Sequence, residues 1–394
     1  MILEYGLRNF LSFRDGVSLS FRLDANCPPQ ISQGREFATV MCVKGANGSG
    51  KTQLLKGLAF VSDFVVKSFA RDPDEKTRVD SFYESTLPSE FFVEFEVSND
   101  LYRYELAITP ERVLREALFR THKKRVRLFE RNGETISHST KAFDALKTMR
   151  LRANASAIST ARQYDFVPLE PVSDFFSGIV SNVGYAGHRE RTFLDIDQAS
   201  ELFHKSPDYL QFAADFIKSC DIGITNIKII EYESPKATAG DGDKERKAYA
   251  PVFLHSVGSE NKPVFSLTES SGTKQLFRNL LAYKLVLNQG GVLVLDEADA
   301  YLHPHILPRL IDLFDSPETN PKSAQLLFSS HSVEVLDFTG RYKTYLVNKE
   351  ENVSYAYRLD EIPGDVLRND RSIIPAYREG RIGGVPRPVV QSAD

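Results

Sequence analysis

The chain has 394 residues, of which 42% are hydrophobic and 26% charged, and a net charge of −4. That is enough chain for one large domain or two ordinary ones, with a globular composition and no global field favouring nucleic acid. No apolar stretch approaches transmembrane length and the N-terminus lacks a signal-peptide pattern. The three cysteines, Cys27, Cys42 and Cys220, form no C-x-x-C pair and read as reduced thiols of a cytoplasmic protein.

Residues 1–24 alternate as two strands around a turn at Asp15-Gly16. Thr39 to Val43 is an apolar, β-prone run, and Gln53 to Phe60 reads as the start of a helix. Between them stand Gly45, Ala46, Asn47, Gly48, Ser49, Gly50, Lys51 and Thr52, a full G-x-x-x-x-G-K-[ST] match. Glycines let backbone N–H groups fold around a polyphosphate at a helix N-terminus. A lysine there reaches the β/γ-phosphates, and a threonine hydroxyl holds Mg²⁺. Residues 90–136 read as β-rich, with a turn at Ser98-Asn99-Asp100. Residues 140–220 read as mostly helical. Ile224 to Val257 returns to strands, interrupted by a polar, charged segment, Ser234 to Lys247, read as a mobile loop. From 267 onward helix and strand alternate: helix at Leu276–Leu287, buried strand at Gly291–Leu295, helix at Ile306–Phe314, buried strand at Gln325–Phe328. There is no internal repeat and no sustained heptad run.

Three further features carry chemistry. The apolar strand Val292–Leu295 ends in Asp296 and Glu297, at the carboxyl edge where parallel sheets bind ligands. Asp296 there stabilises Mg²⁺ and Glu297 polarises an attacking water, although an acidic turn after a strand is also common. Ser270, Ser271, Gly272, Thr273 and Lys274 precede a helix. They serve as an ordinary N-cap, as a phosphate donor, or as both. The strand Phe328–Ser330 ends in His331, placed either to contact a γ-phosphate or simply to face solvent.

Taken together these residues resemble an ABC-type ATPase head: an α/β P-loop NTPase with an antiparallel β side sheet and a helical insertion. Gly45–Thr52 resembles Walker A, Leu293–Glu297 Walker B with the catalytic glutamate, Ser271-Gly272 the signature core, Asp299 the D-loop aspartate and His331 the switch histidine. Asn9 to Phe13, Asp296 to Pro304 and Phe328 to His331 are similar to the RecF, SMC and OLD-like ATPases. Glu269 to Lys274 and the tail Ala376 to Pro386 resemble stand-alone ATPases of bacterial anti-phage operons, of the AbiL, RloA and PARIS types. Gln163 lies where such families place the Q-loop residue, a surface glutamine being the plain alternative. Thr273 departs from the usual signature glycine. The roughly 60 residues after His331 are too few for a TOPRIM nuclease of ordinary domain size.

The resemblance implies one head over 1–394, with side sheet and helical insertion at 80–260, the signature, acidic-strand and histidine core at 267–345, and a C-terminal extension at 346–394. It implies ATP and Mg²⁺ as cofactors. Lys51, Glu297 and His331 would act in hydrolysis. Gly45, Asn47, Gly48, Ser49, Gly50, Thr52, Gln163, Ser271, Gly272 and Asp299 would bind nucleotide, and Thr52 and Asp296 the metal. It further implies a homodimer or higher homo-oligomer, a separately encoded nuclease or toxin effector, and a phage-derived trigger. The alternative is a RecF-like DNA clamp. For that reading the run Arg120–Arg127, taken as one strand, would present Lys123, Arg125 and Arg127 on one face. The same run also suits a charge-protected edge strand.

Overall fold

A strand covered on both faces must be apolar at successive positions. Val40, Met41, Cys42 and Val43 are all 0% exposed, and period-2 geometry sends Met41 and Val43 into one core and Val40 and Cys42 into another. The computed structural model describes residues 1–184, 187–188, 195–220, 223–234, 246–363 and 366–386. The chain begins β1 (Ile2–Arg8), β2 (Val17–Ser20), a one-turn helix α1 (Pro29–Ser32), β3 (Val40–Gly45) and α2 (Lys51–Lys67). A β meander follows: β4 (Ser89–Val97), β5 (Asp100–Ile108), β6 (Val113–Thr121), β7 (Arg125–Asn132) and β8 (Thr135–Ser139). Then come α3 (Ala157–Gln163), α4 (Glu170–Ser177), β9 (Ile179–Ser181), β10 (Val183–Gly184), β11 (Gly187–His188), α5 (Ile196–Lys205) and α6 (Pro207–Ser219). Next are β12 (Ile224–Ser234), β13 (Arg246–Val257), β14 (Glu260–Phe265), α7 (Ser271–Gln289) and β15 (Val292–Leu295). The chain closes with α8 (Ile306–Asp315), β16 (Gln325–Ser329), α9 (Val335–Thr339), β17 (Thr344–Glu350), β18 (Val353–Arg358) and α10 (Ile374–Arg378).

The central sheet has the order β18-β17-β3-β16-β15-β9. All its neighbours are parallel except the β17–β18 hairpin. The antiparallel side sheet runs β2-β1-β4-β5-β6-β7-β8. Helix α2 lies between the two sheets. Leu54, Leu55, Leu58, Val61, Phe64 and Val65 share a core with Phe91, Val93 and Tyr104 of the side sheet and with Met41, Val43 and Val294 of the central one. The opposite face of the central sheet is covered by α6, α7 and α8, with residues of β12 and β13. This is the expected α/β architecture, with its antiparallel side sheet and helical insertion. None of the described helices is long and apolar enough to cross a membrane.

A buried charge pair ties the side sheet to the helical segment. Arg131 and Glu116 are both 0% exposed and 3.4 Å apart. Glu116 also accepts from Tyr104 Oη (3.0 Å), Ser156 Oγ (2.6 Å) and the Ala157 N–H (2.8 Å), while Arg131 donates to Ala155 O at 2.7 Å. These bonds replace the water that burial strips from the two charges.

The structure departs from the sequence expectations in four places. The helical stretch 140–220 also contains β9, which extends the central sheet beside β15; three residues are too few to show a strand period. Strand β14 is fully polar at its start and carries Pro263, the composition of an exposed edge. The basic run 120–127 is a hairpin, not one strand: Thr121 pairs with Arg125 and leaves residues 122–124 as the turn, so Lys123 does not share a strand face with Arg125 and Arg127. The boundary expected at 346 falls inside β17, where apolar Leu346 and Val347 pair with Lys44 and Gly45 of β3. The segment read as a mobile loop lies, for residues 235–245, outside the described residues.

Candidate functional site

Four parallel strands, β3, β16, β15 and β9, release the chain at one edge of the central sheet, and the chemistry-bearing residues follow directly after them. After β3 the chain turns through Gly45–Gly50 into α2. Gly48 (φ 74°) and Gly50 (φ 114°) hold left-handed backbone. A Cβ on Gly45 would stand 2.3 Å from Val347 O. The loop is supported from behind. Ser354 Oγ donates to Ser49 O at 2.6 Å and lies 2.6 Å from Ser12 Oγ, while the Ser12 N–H donates to Gln53 Oε1 at 3.0 Å. Ser12 reaches this place because the Asn9–Phe13 segment is a tight turn, with Phe10 and Phe13 buried and bonded through their backbones at 2.9 Å. In the sequence that segment shows only as a resemblance, and no local pattern marks Ser354.

Lys51 is 7% exposed and its Nζ donates to Gly45 O (3.0 Å) and Ala46 O (3.1 Å). Burial lowers its pKa, opposed by the carboxylates of Asp296, Glu297 and Asp299. Thr52 Oγ1 donates to Asp296 Oδ2 at 2.6 Å. Asp296 follows β15, is 1% exposed, and is bracketed by neighbours. Asn182, just past β9, donates Nδ2 to Asp296 O (2.9 Å) and accepts the Asp296 N–H (2.7 Å). Ser329 Oγ donates to Asp296 Oδ1 and accepts the Glu297 N–H at 2.8 Å. Asn182 carries no signal of its own in the sequence, because the short strand that delivers it carries none.

Glu297 and His331 are each 45% exposed, with Nε2 and Oε1 3.6 Å apart. Glu297 stands at φ 51°, a left-handed conformation that turns its side chain out of the strand line. Asp299 accepts the N–H groups of His331 (3.0 Å) and Ser332 (2.8 Å), so the acidic loop holds the histidine loop through its backbone. The expected residues Gly45, Asn47, Gly48, Ser49, Gly50, Lys51, Thr52, Asp296, Glu297, Asp299 and His331 therefore belong to one contiguous edge.

Two expected pieces lie elsewhere. Ser270 caps α7, its Oγ accepting the Thr273 N–H at 3.1 Å, which leaves Ser271 and Gly272 in the first turn. Glu269 anchors this start, accepting from the Ser270 N–H (2.7 Å) and lying 2.7 Å from His255 Nε2 on β13. Gly272 packs on the loop after Asp299: a Cβ there would stand 2.6 Å from Tyr301 O. No hydrogen bond among the described residues joins Ser271 or Gly272 to Gly45–Thr52. Gln163 is a correction. It is exposed at the end of α3, and α3 packs on the far end of α2 through Ser159 Oγ to Val66 O (3.2 Å). At 1.5 Å per residue the 17 residues of α2 put that end about 25 Å from the P-loop. Asn182, not Gln163, bonds the backbone of Asp296.

Fold and site together define an α/β domain of P-loop NTPase type. Residues 40–337 match the family described as "AAA domain, putative AbiEii toxin, Type IV TA system", and the chain belongs to that family. No curated protein matches the chain at a significant level. Among solved structures, "SmcHead bound to the C-winged helix domain of ScpA" is similar, with TM-score 0.49, 14% identity, and 90% of this chain and 96% of that one covered. The "SMC head domain from Thermotoga maritima" is similar with TM-score 0.44, 15% identity, and 91% and 98% coverage.

Proposed function

We propose that the chain binds and hydrolyses ATP with Mg²⁺, and that it uses the nucleotide state to regulate a separately encoded nuclease or toxin in bacterial anti-phage defence. The observation that carries the ATPase part is the 2.6 Å bond between Thr52 Oγ1 and Asp296 Oδ2. It joins a glycine loop at a helix N-terminus to a buried carboxylate at the end of a parallel strand. The residues present fit the ligand: the loop excludes side chains at Gly45 and Gly50, and Lys51 stands over its carbonyls. Thr52 and Asp296 would hold the cation, which when bound neutralises charge on the β- and γ-phosphate oxygens. Lys51 leaves the Gly45 and Ala46 carbonyls for phosphate oxygen. Glu297, half-exposed and free of the strand line, accepts a proton from the attacking water. His331, 3.6 Å from it, reports the γ-phosphate.

Ser271 and Gly272 would bind the nucleotide of a second copy, making the working unit a homodimer or a larger ring of copies. The effector part of the proposal rests on the family's printed description and on the anti-phage resemblance. A cytoplasmic location is part of the proposal, supported by three cysteines that form no disulfide with one another. The DNA-clamp alternative is weakened because the hairpin's arginines are paired with carboxylates: Arg125 lies 3.2 Å from Glu105 and Arg120 3.6 Å from Asp100, both on β5, and Arg127 is bonded to Glu130. The test is native purification of the tagged chain expressed with its neighbouring genes, weighed with and without ATP. A stoichiometric nuclease- or toxin-like protein supports the regulator. A lone dimer retaining only DNA, with steeply salt-dependent affinity, overturns it in favour of the clamp.

A further inference from the structure

The tail Ala376–Pro386 stands out in the sequence, yet no step above uses it. In the structure it reaches the nucleotide edge through one residue, Lys44, which immediately precedes Gly45. Lys44 is 2% exposed. Its Nζ donates to Ser330 O (3.2 Å) and His331 O (3.0 Å) and sits 5.4 Å from the centre of the Tyr377 ring. Among the described residues no carboxylate lies within ion-pair distance of it. A buried ammonium without a carboxylate costs several kcal/mol, and a methionine of similar length would fill the same space more cheaply. The charge is therefore poorly explained by stability.

Its geometry has a use. The backbone of the histidine loop is gripped from two sides: Asp299 takes the N–H groups of His331 and Ser332, and Lys44 takes the carbonyls of Ser330 and His331. With both ends held, the imidazole keeps its place beside Glu297. The far side of the Lys44 ammonium is covered by an aromatic face, the cation–π arrangement that stabilises a desolvated cation. Tyr377 is itself fixed. Its hydroxyl donates to Gly384 O at 2.9 Å, and the Gly384 N–H donates to Asn348 Oδ1 at 2.7 Å, one residue beyond the β17 position that pairs with Gly45. At the other end Asp337 accepts from Ser372 Oγ (2.6 Å) and the Ile373 N–H (2.8 Å).

We propose that Lys44 is a positioning residue for His331, and that the C-terminal segment 372–386 sets the hydrolytic rate by covering Lys44 with Tyr377. This rests on the ATPase reading. The experiment compares steady-state ATP hydrolysis, nucleotide binding and melting temperature for the full chain and for Lys44→Met, Tyr377→Leu and Tyr377→Phe. Misplacing a reacting group by about 1 Å costs on the order of 100-fold in rate, so Lys44→Met is expected to lower kcat by about 10- to 100-fold. Its KM for ATP should hold and its melting temperature should not fall. Tyr377→Leu should lower kcat in the same way and Tyr377→Phe, which keeps the ring, should restore it. The Lys44→Met, Tyr377→Leu double variant should be no slower than Lys44→Met alone, because both act through one contact. Unchanged kcat in Lys44→Met, or a loss of nucleotide binding in step with kcat, overturns the proposal. So does a Tyr377→Phe variant as slow as Tyr377→Leu. If Lys44→Met does not fold, the two Tyr377 variants decide alone. Absence of turnover in the unaltered chain overturns the ATPase reading and this inference together. Turnover that Lys44→Met leaves unchanged overturns only the inference.

Discussion

The residues of the nucleotide edge divide by how they reach it. Gly45–Thr52 and Asp296–Glu297 are contiguous runs whose chemistry depends on local order, so the sequence alone makes them legible. Asn182, Ser12 and Ser354 act only through contacts between distant parts of the chain; Ser354 and Ser49 are 305 residues apart. No window of sequence carries that information. Gln163 misleads for the converse reason: a helix and a glutamine fit the expected place in the order of the chain, while α2 separates them from the P-loop in space. Glu297→Gln should bind ATP as the unaltered chain does and lose about 100- to 10,000-fold in kcat, the range for removing a general base. Calorimetric titration beside phosphate release checks it; normal turnover would remove Glu297 from the role. Lys51→Ala should weaken ATP binding by about 10- to 100-fold, the loss of a charged hydrogen bond worth roughly 1.5–3 kcal/mol, read in the same titration.

Among the elements, the side sheet is legible from alternation in β4 and β5. Its attachment to the helical insertion is not, because Arg131 and Glu116 look like any surface pair in sequence. Arg131→Met leaves Glu116 buried without its cation and should cost about 3–5 kcal/mol, seen as a lower denaturant midpoint. On the outer face of the same sheet burial pushes the Glu105 carboxyl up, but hydrogen bonds and charge from Arg103 and Arg115 outweigh it and hold the pKa below the ordinary 4.5. A depressed carboxylate stabilises the fold above its unfolded value and loses that contribution as pH falls through the folded one. The side sheet should therefore hold its stability down to about pH 4.5 and weaken below it. Glu105→Gln should flatten that acid limb in melting curves taken from pH 7 downward; an unchanged limb would assign it to other carboxylates.

At the scale of the whole molecule, the separation of Ser271-Gly272 from Gly45–Thr52 would, on the proposed reading, make each chain half of two sites. Specific activity should then rise with protein concentration. Mixing Lys51→Ala with Gly272→Asp chains, each inactive alone, should restore turnover by forming one intact site per pair. Turnover that is independent of concentration, with no restoration on mixing, would mean that one chain suffices. The order of motifs along the sequence carries only the expectation of such a division of parts. It does not foretell that β17 and β18 complete the central sheet, since their apolar residues resemble those of any terminal hairpin.

The bond from Ser354 to the P-loop also orders events in time. The glycine loop is made early, but the hydroxyl that supports it from behind is added 305 residues later. At about 5–20 residues per second that interval is roughly 15–60 s. Throughout it the growing chain carries a nucleotide-binding signature without the support that shapes it. Until Ser354 emerges, the Ser49 carbonyl lacks that donor, so a head truncated before Ser354 is expected to hold its glycine loop less firmly.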